Sequence, residues 1–174
     1  MSATIGKYRT ESGESLKYRQ WSSAQQVDAL VYLHGIESHS EWFSECAEKI
    51  SEIGVSVYAP DRRGSGLNNS GEAFCGNYCL LIQDVMDLAA GLASSYQRLH
   101  LCGLSWGGKL AVAVDISSPG LFSSLTLIAP GLFPQVAPPL SKKAKIAFDA
   151  FMRPRSLHPI PIQDHMFTSI PKHL

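Results

Sequence analysis

"LCGLSWGGKLAV", residues 101–112, is the stretch on which the fold turns. An apolar run from Leu99 to Cys102, broken only by His100, leads into Gly103, Ser105 and Gly107, and a small-residue helical pattern follows. A chain that passes from strand to helix through G-x-S-x-G must turn sharply. The central residue is then held in a strained conformation with its hydroxyl pushed out beyond the strand, and the flanking positions have no room for a Cβ. Ser105 would also stand at a helix N-terminus, where unpaired N–H groups and the positive end of the helix dipole face whatever the hydroxyl attacks. Gly and Ser are common, so the frame alone also fits a tight turn with a serine cap. The strand before it and the helix after it favour a nucleophile.

The surrounding chain supplies that context. Residues 7–21 read as two short strands around a Ser-Gly turn. "ALVYLHG", 29–35, is a continuous apolar run of the kind a buried parallel strand shows. Ser38 and Glu41 are spaced as a capping box for a helix in which Trp42, Cys46, Ile50 and Ile53 recur on one face, with Gly54 closing it. "VSVYAP", 55–60, is the next strand. Residues 78–92 predict an amphipathic helix with Tyr78, Leu81, Ile82, Val85, Leu88, Ala89 and Leu92 inward and Gln83, Asp84 and Asp87 outward. Strand 98–102, helix 106–117 and strand 125–130 complete the rhythm. The class predicted is α/β, a mostly parallel sheet with helices on both faces.

After Pro130 the character changes, since eight of the ten prolines lie between 130 and 174. One helix is expected there, capped by Ser141, with Ala144, Ala147, Phe148, Phe151 and Met152 on one face and Lys142, Lys145, Asp149 and Arg153 on the other. The division predicted is a core over 1–130 and a cap or lid segment over 131–174.

Composition bounds the function. The chain has 174 residues, 45% hydrophobic and 17% charged, with zero formal net charge. This suits one globular domain and argues against a nucleic-acid partner. No signal peptide, membrane span, metal-ligand cluster or phosphate loop is read, so no metal or cofactor is expected. Cys46 and Cys102 fall in apolar patterns, and Cys75 and Cys79 lack a second pair, so reduced thiols and a cytoplasmic location are expected.

"LHGIESHS", 33–40, adds a second element. A loop leaving the strand at His34-Gly35 can aim the Ile36 N–H at the same spot as the Trp106 N–H, and two convergent donors make an oxyanion hole. The blocks "VYLHGIESHSEWF", "VYAPDRRGSG" and "LCGLSWGGKLA", in this order, resemble the α/β-hydrolase superfamily, and within it the monoacylglycerol lipase, lysophospholipase and serine-aminopeptidase-like branch. The resemblance covers about 7–130, the N-terminal portion of such a fold without its last strands, and "DHMFTSIP" in the tail looks like that branch's cap. It implies Ser105 as nucleophile, the amides of Ile36 and Trp106 as the oxyanion hole, and His34, Gly35, Gly103 and Gly107 as support. Ser65 stands where the family often has His, and Trp106 where it often has Met, which would narrow the pocket beside the nucleophile.

A serine needs a histidine base and an acid to orient it, and in this fold both follow the serine. Asp115, Asp149, Asp164, His158, His165 and His173 are available by type, but none stands after a strand of the required kind. His100 reads as a strand residue and His158 as a loop residue. Three explanations stay open. The chain is the N-terminal part of a longer or split hydrolase, completed by a C-terminal fragment or a second copy; it is a relative that binds acyl ligands without turnover; or it recruits His165 or His173. The unpaired sheet edge expected at 125–130 favours the first. The expected reaction is hydrolysis of a lipid-like or small carboxylic ester through an acyl-serine, with a small-molecule acyl substrate.

Overall fold

Continuous apolar runs become the inner strands of a six-stranded sheet. The computed structural model describes residues 3–70, 77–132, 139–153, Ser156 and His158. Strands β1 (Thr4–Arg9) and β2 (Ser15–Trp21) form an antiparallel hairpin, and β3 (Asp28–Leu33), β4 (Val55–Pro60), β5 (Arg98–Leu104) and β6 (Ser124–Ile128) follow. Their order is β1-β2-β4-β3-β5-β6, antiparallel at the hairpin end and parallel from β4 to β6. The β3–β5 pairing runs from Asp28 opposite Arg98 to Leu33 opposite Gly103, which brings the ends of "VYL" and "LCG" side by side. Beyond β6 the sheet has no further strand among the described residues.

Both faces are covered, which is why the inner strands carry no polar alternation. One core joins Ala29, Val31, Leu33, Leu99 and Leu101 of the sheet to Leu81, Val85 and Leu88 of α2 (Tyr78–Ala93) and Leu110, Ala111 and Val114 of α3 (Trp106–Ser117). The other joins Trp21, Tyr32, Val57, Ala59 and Cys102 to Ala47 of α1 (Ser44–Glu52), with Tyr32 and Phe43 stacked at 3.7 Å. Val31, Val57, Leu101 and Val114 are wholly buried, and each such side chain contributes about 1.5–3 kcal/mol.

Local readings that depended on periodicity alone needed correction. The capping box does not form: the chain enters a 3₁₀ turn at Ser40–Phe43, and the Ser38 hydroxyl donates to the His39 carbonyl. That turn shifts the phase of α1, so Ala47 and Ser51 are buried while Trp42, Ile53 and Cys46 are exposed. Gly54 does end the helix, at φ +106°. In α2, Tyr78 is exposed and Asp84 is buried, because Arg63 reaches it.

The chain divides into two compact units, Met1–Leu132 and Phe133–Leu174. The second contains α4 (Leu140–Met152). Pro139 precedes its first turn, so Ser141 is inside the helix and not its cap. Phe148, Phe151 and Met152 are exposed, and the buried residue of the helix is Asp149, which faces His158 at 3.5 Å. Asp164, His165, His173, Cys75 and "DHMFTSIP" lie outside the described residues. No helix among the described residues is long and apolar enough to cross a membrane, and no group of three metal-ligating side chains occurs among them.

Candidate active site

β5 and α3 meet at one residue. Ser105 has φ 52° and ψ −116°, a region that a residue with a Cβ enters at a cost of about 1–3 kcal/mol. The surroundings hold it there. The Ser105 N–H donates to the Ile128 carbonyl at 3.0 Å, and the Ser105 carbonyl accepts from the amides of Gly108 and Gly131, both at 3.0 Å. The turn closes tightly only because two neighbours have no side chain. A Cβ on Gly103 would stand 2.5 Å from the Gly107 carbonyl oxygen, and one on Gly107 would overlap the carbonyl oxygens of Leu33 and His34. The Ser105 side chain is half-buried and caps nothing in α3.

The loop after β3 lies against this turn. A Cβ on Gly35 would be 3.6 Å from the Cβ of Ser105. The peptide amides of Ile36 and Trp106 donate to no protein group among the described residues. Two backbone donors thus have no partner among the described residues, one in the loop that follows β3 and one in the first turn of α3.

His34 is 1% exposed, and both its ring nitrogens are engaged away from the Ser105 hydroxyl, by Gly35 and Arg62. Its Nδ1 lies 2.9 Å from the Gly35 carbonyl oxygen, and its Nε2 accepts from the Arg62 amide at 3.2 Å. This pair of bonds fits only the neutral ring with the proton on Nδ1. Burial, and then the charge of Arg62, pull its pKa down from 6.5 to about 4. His34 is thus a prop of the loop at neutral pH. Buried Asp61 binds the same region from below, accepting from the amides of Ser40 at 2.6 Å and Leu67 at 2.8 Å and from Arg19 at 3.2 Å.

The sequence reading did not single out the two arginines of "DRRG". Arg63 is buried and forms a fork on Asp84, both bonds 2.7 Å, while also reaching Ser12 and Glu14. Arg62 runs the other way. It donates to the carbonyls of His34 at 3.1 Å and Gly35 at 2.9 Å, and its guanidinium lies 4.3 Å from the centre of the Trp106 ring. Trp106, expected to narrow the space beside the serine, is half-buried under this cation. Adjacency of two arginines to a residue ending a strand was the only signal for either role.

The described histidines of the first unit are engaged elsewhere. His39 packs edge-on to Trp42 with Glu41 at 3.9 Å, and His100 bonds Ser124 at the opposite end of the strand. Asp115 lies ten residues along α3 from Ser105, about 15 Å by helical rise.

A family model described as serine aminopeptidase, S33, matches residues 24–172. A monoglyceride lipase homolog of Monkeypox virus is 28% identical over 115 residues, covering 64% of this chain and 42% of that protein. Monoglyceride lipase of Homo sapiens is 27% identical over 121 residues, covering 68% of this chain and 40% of the enzyme. The chain thus spans about two fifths of the length of these curated relatives. Among solved structures, DcsB in complex with its substrate analogue superposes with a TM-score of 0.77 at 19% identity, over 93% of this chain and 59% of that one.

Proposed function

The chain belongs to the serine aminopeptidase S33 family, in the monoglyceride-lipase-like branch of the α/β-hydrolase superfamily, and from that premise we propose that it carries the nucleophile and oxyanion hole of a carboxylic ester hydrolase. The observation that carries the reading is Ser105 at φ 52° where β5 turns into α3, with the amides of Ile36 and Trp106 left without a partner among the described residues. Ser105 Oγ attacks the ester carbonyl carbon, its proton passes to a base, and the carbonyl oxygen becomes an oxyanion held by the two amides. The C–O bond to the alcohol then breaks, the alcohol leaves with that proton, and water releases the acid from the acyl-serine. Base and acid come from outside the described residues: the tail beyond His158, a C-terminal continuation, or a second chain.

The test is hydrolysis of nitrophenyl and monoacylglycerol esters by the chain, alone and with a C-terminal complement. Turnover that S105A abolishes supports the reading, and turnover that survives S105A removes it. A second reading, a binding protein for acyl ligands without turnover, is favoured by one observation: no described histidine of the first unit is bonded to Ser105. It predicts thermal stabilisation by a fatty ester with no loss of the ester.

A further inference from the structure

Two donors from different parts of the chain can share one oxyanion only if something fixes their spacing. The peptide bond joining Gly35 to Ile36 is trans, as are all others described, so its C=O and N–H point in opposite directions. Whatever grips the Gly35 carbonyl therefore aims the Ile36 amide. Arg62 grips it at 2.9 Å and takes the preceding carbonyl, that of His34, at 3.1 Å with its other terminal nitrogen. One planar fork thus holds two successive peptide units, which a lysine ammonium cannot do as a rigid body. The same guanidinium lies on the Trp106 indole at 4.3 Å, and the amide of Trp106 is the second donor. The Arg62 backbone adds a third tie, to His34 Nε2 at 3.2 Å. Its neighbour Arg63 is spent on Asp84, Ser12 and Glu14, away from the loop.

We propose that Arg62 is the positioning residue of the oxyanion hole, a clamp that sets the Ile36 amide through the Gly35 carbonyl and the Trp106 amide through the indole. It touches neither substrate nor the reacting atoms. The inference rests on the reading of Ser105 as a nucleophile for its kinetic consequence, but the placement of the donors can be read without any reaction.

The experiment uses the full 174-residue chain and three variants, R62M, R62K and S105A. Backbone ¹⁵N order parameters are measured first. Wild-type Ile36 is expected at about 0.85, the level of rigid backbone, and R62M is expected to drop it below about 0.6. Val31 and Leu101, on the strands that carry the site, should not change. R62K, which keeps the charge and one donor, should fall between. An unchanged Ile36 overturns the proposal, and so does an equal loss across β3 and β5, which would make Arg62 a general stabiliser. Should R62M not fold, R62K alone decides by the same criterion. In ester turnover, measured on the form that hydrolyses, the chain alone or with its C-terminal complement, R62M should lose about 30- to 100-fold in kcat with KM within about twofold, as expected when an oxyanion donor is misplaced. A change confined to KM overturns the clamp. If S105A hydrolyses as well as wild type, the nucleophile assignment fails, while the Ile36 order parameter still judges Arg62.

Discussion

The two ends of the parallel sheet each carry a serine, and they are equipped in opposite ways. At the C-terminal ends of β3 and β5, Ser105 has a strained backbone, and among the described residues the amides of Ile36 and Trp106 have no partner and no histidine is bonded to the serine. At the N-terminal ends, Ser124 is 2.8 Å from His100 Nδ1, and His100 Nε2 is 3.5 Å from Asp28. That is a serine, a histidine and an aspartate in a row. Yet Ser124 sits in an extended strand, its neighbours are paired with β5, and no helix N-terminus follows it. Asp28 is held by the Arg98 fork at 2.6 and 2.7 Å, which keeps its carboxyl below the usual range. The residue types of a relay are therefore not what makes a candidate site here. The backbone shape is, because only a turn like that at Ser105 can place main-chain donors where charge would develop.

The strongest way to break this comparison is to exchange the two serines' fates. S105A is expected to lose all ester turnover above background, whereas S124A should keep the wild-type rate, both read with a nitrophenyl ester in the completed enzyme. Activity lost in S124A would reverse the assignment.

Steric tests come next. G107A places a Cβ on the carbonyls of Leu33 and His34, and urea unfolding should report a loss of about 2–3 kcal/mol, the cost of overpacking. Gly91, on the exposed side of α2, has nothing within 4 Å of its Cβ position. G91A should instead gain about 0.5–1 kcal/mol through helix propensity. Equal effects at the two glycines would mean that the elbow is not tightly closed.

A pH dependence sharpens the role of His34. Its folded pKa, about 4, lies below the unfolded 6.5. Between these values the unfolded chain binds more protons, so stability is fully present above pH 6.5 and is lost as pH falls towards 4. The linkage amounts to up to about 3 kcal/mol. Denaturant midpoints at pH 7 and pH 4.5 should separate more in wild type than in H34Q. The smallest effect is expected at the other end of the sheet, where H100A should leave the midpoint at pH 7 nearly unchanged, since His100 is partly exposed.

Much of the architecture was legible because strand-helix alternation and the G-x-S-x-G frame are local patterns with one geometric outcome. The strand at 55–60 and the helix from 106 to 117 stand where apolar periodicity put them, while the strands expected over 29–35 and 125–130 form over Asp28–Leu33 and Ser124–Ile128. Failures cluster where a tertiary partner overrode periodicity. Asp84 reads as an outward residue of α2 until Arg63, 21 residues earlier, buries it. Trp42 reads as core until the 3₁₀ turn rotates α1 away from it. Asp149 reads as a polar-face residue, yet it is the one buried on α4, opposite His158. At the site, glycine spacing pointed to the sharp turn found at Ser105, and the histidine-glycine pair to the loop whose Gly35 lies against it. Arg62 stayed hidden because its partners are carbonyl groups and an aromatic face, which leave no pattern in a single sequence.

The most direct measurement is peptide mapping of the chain after reaction with a fluorophosphonate, with the C-terminal complement present. The account expects one phosphonyl adduct, on the peptide containing Ser105, absent in S105A and never on Ser124. An adduct on Ser124, or none at Ser105 while ester turnover proceeds, would contradict the claim that the backbone at residue 105 makes this serine the nucleophile.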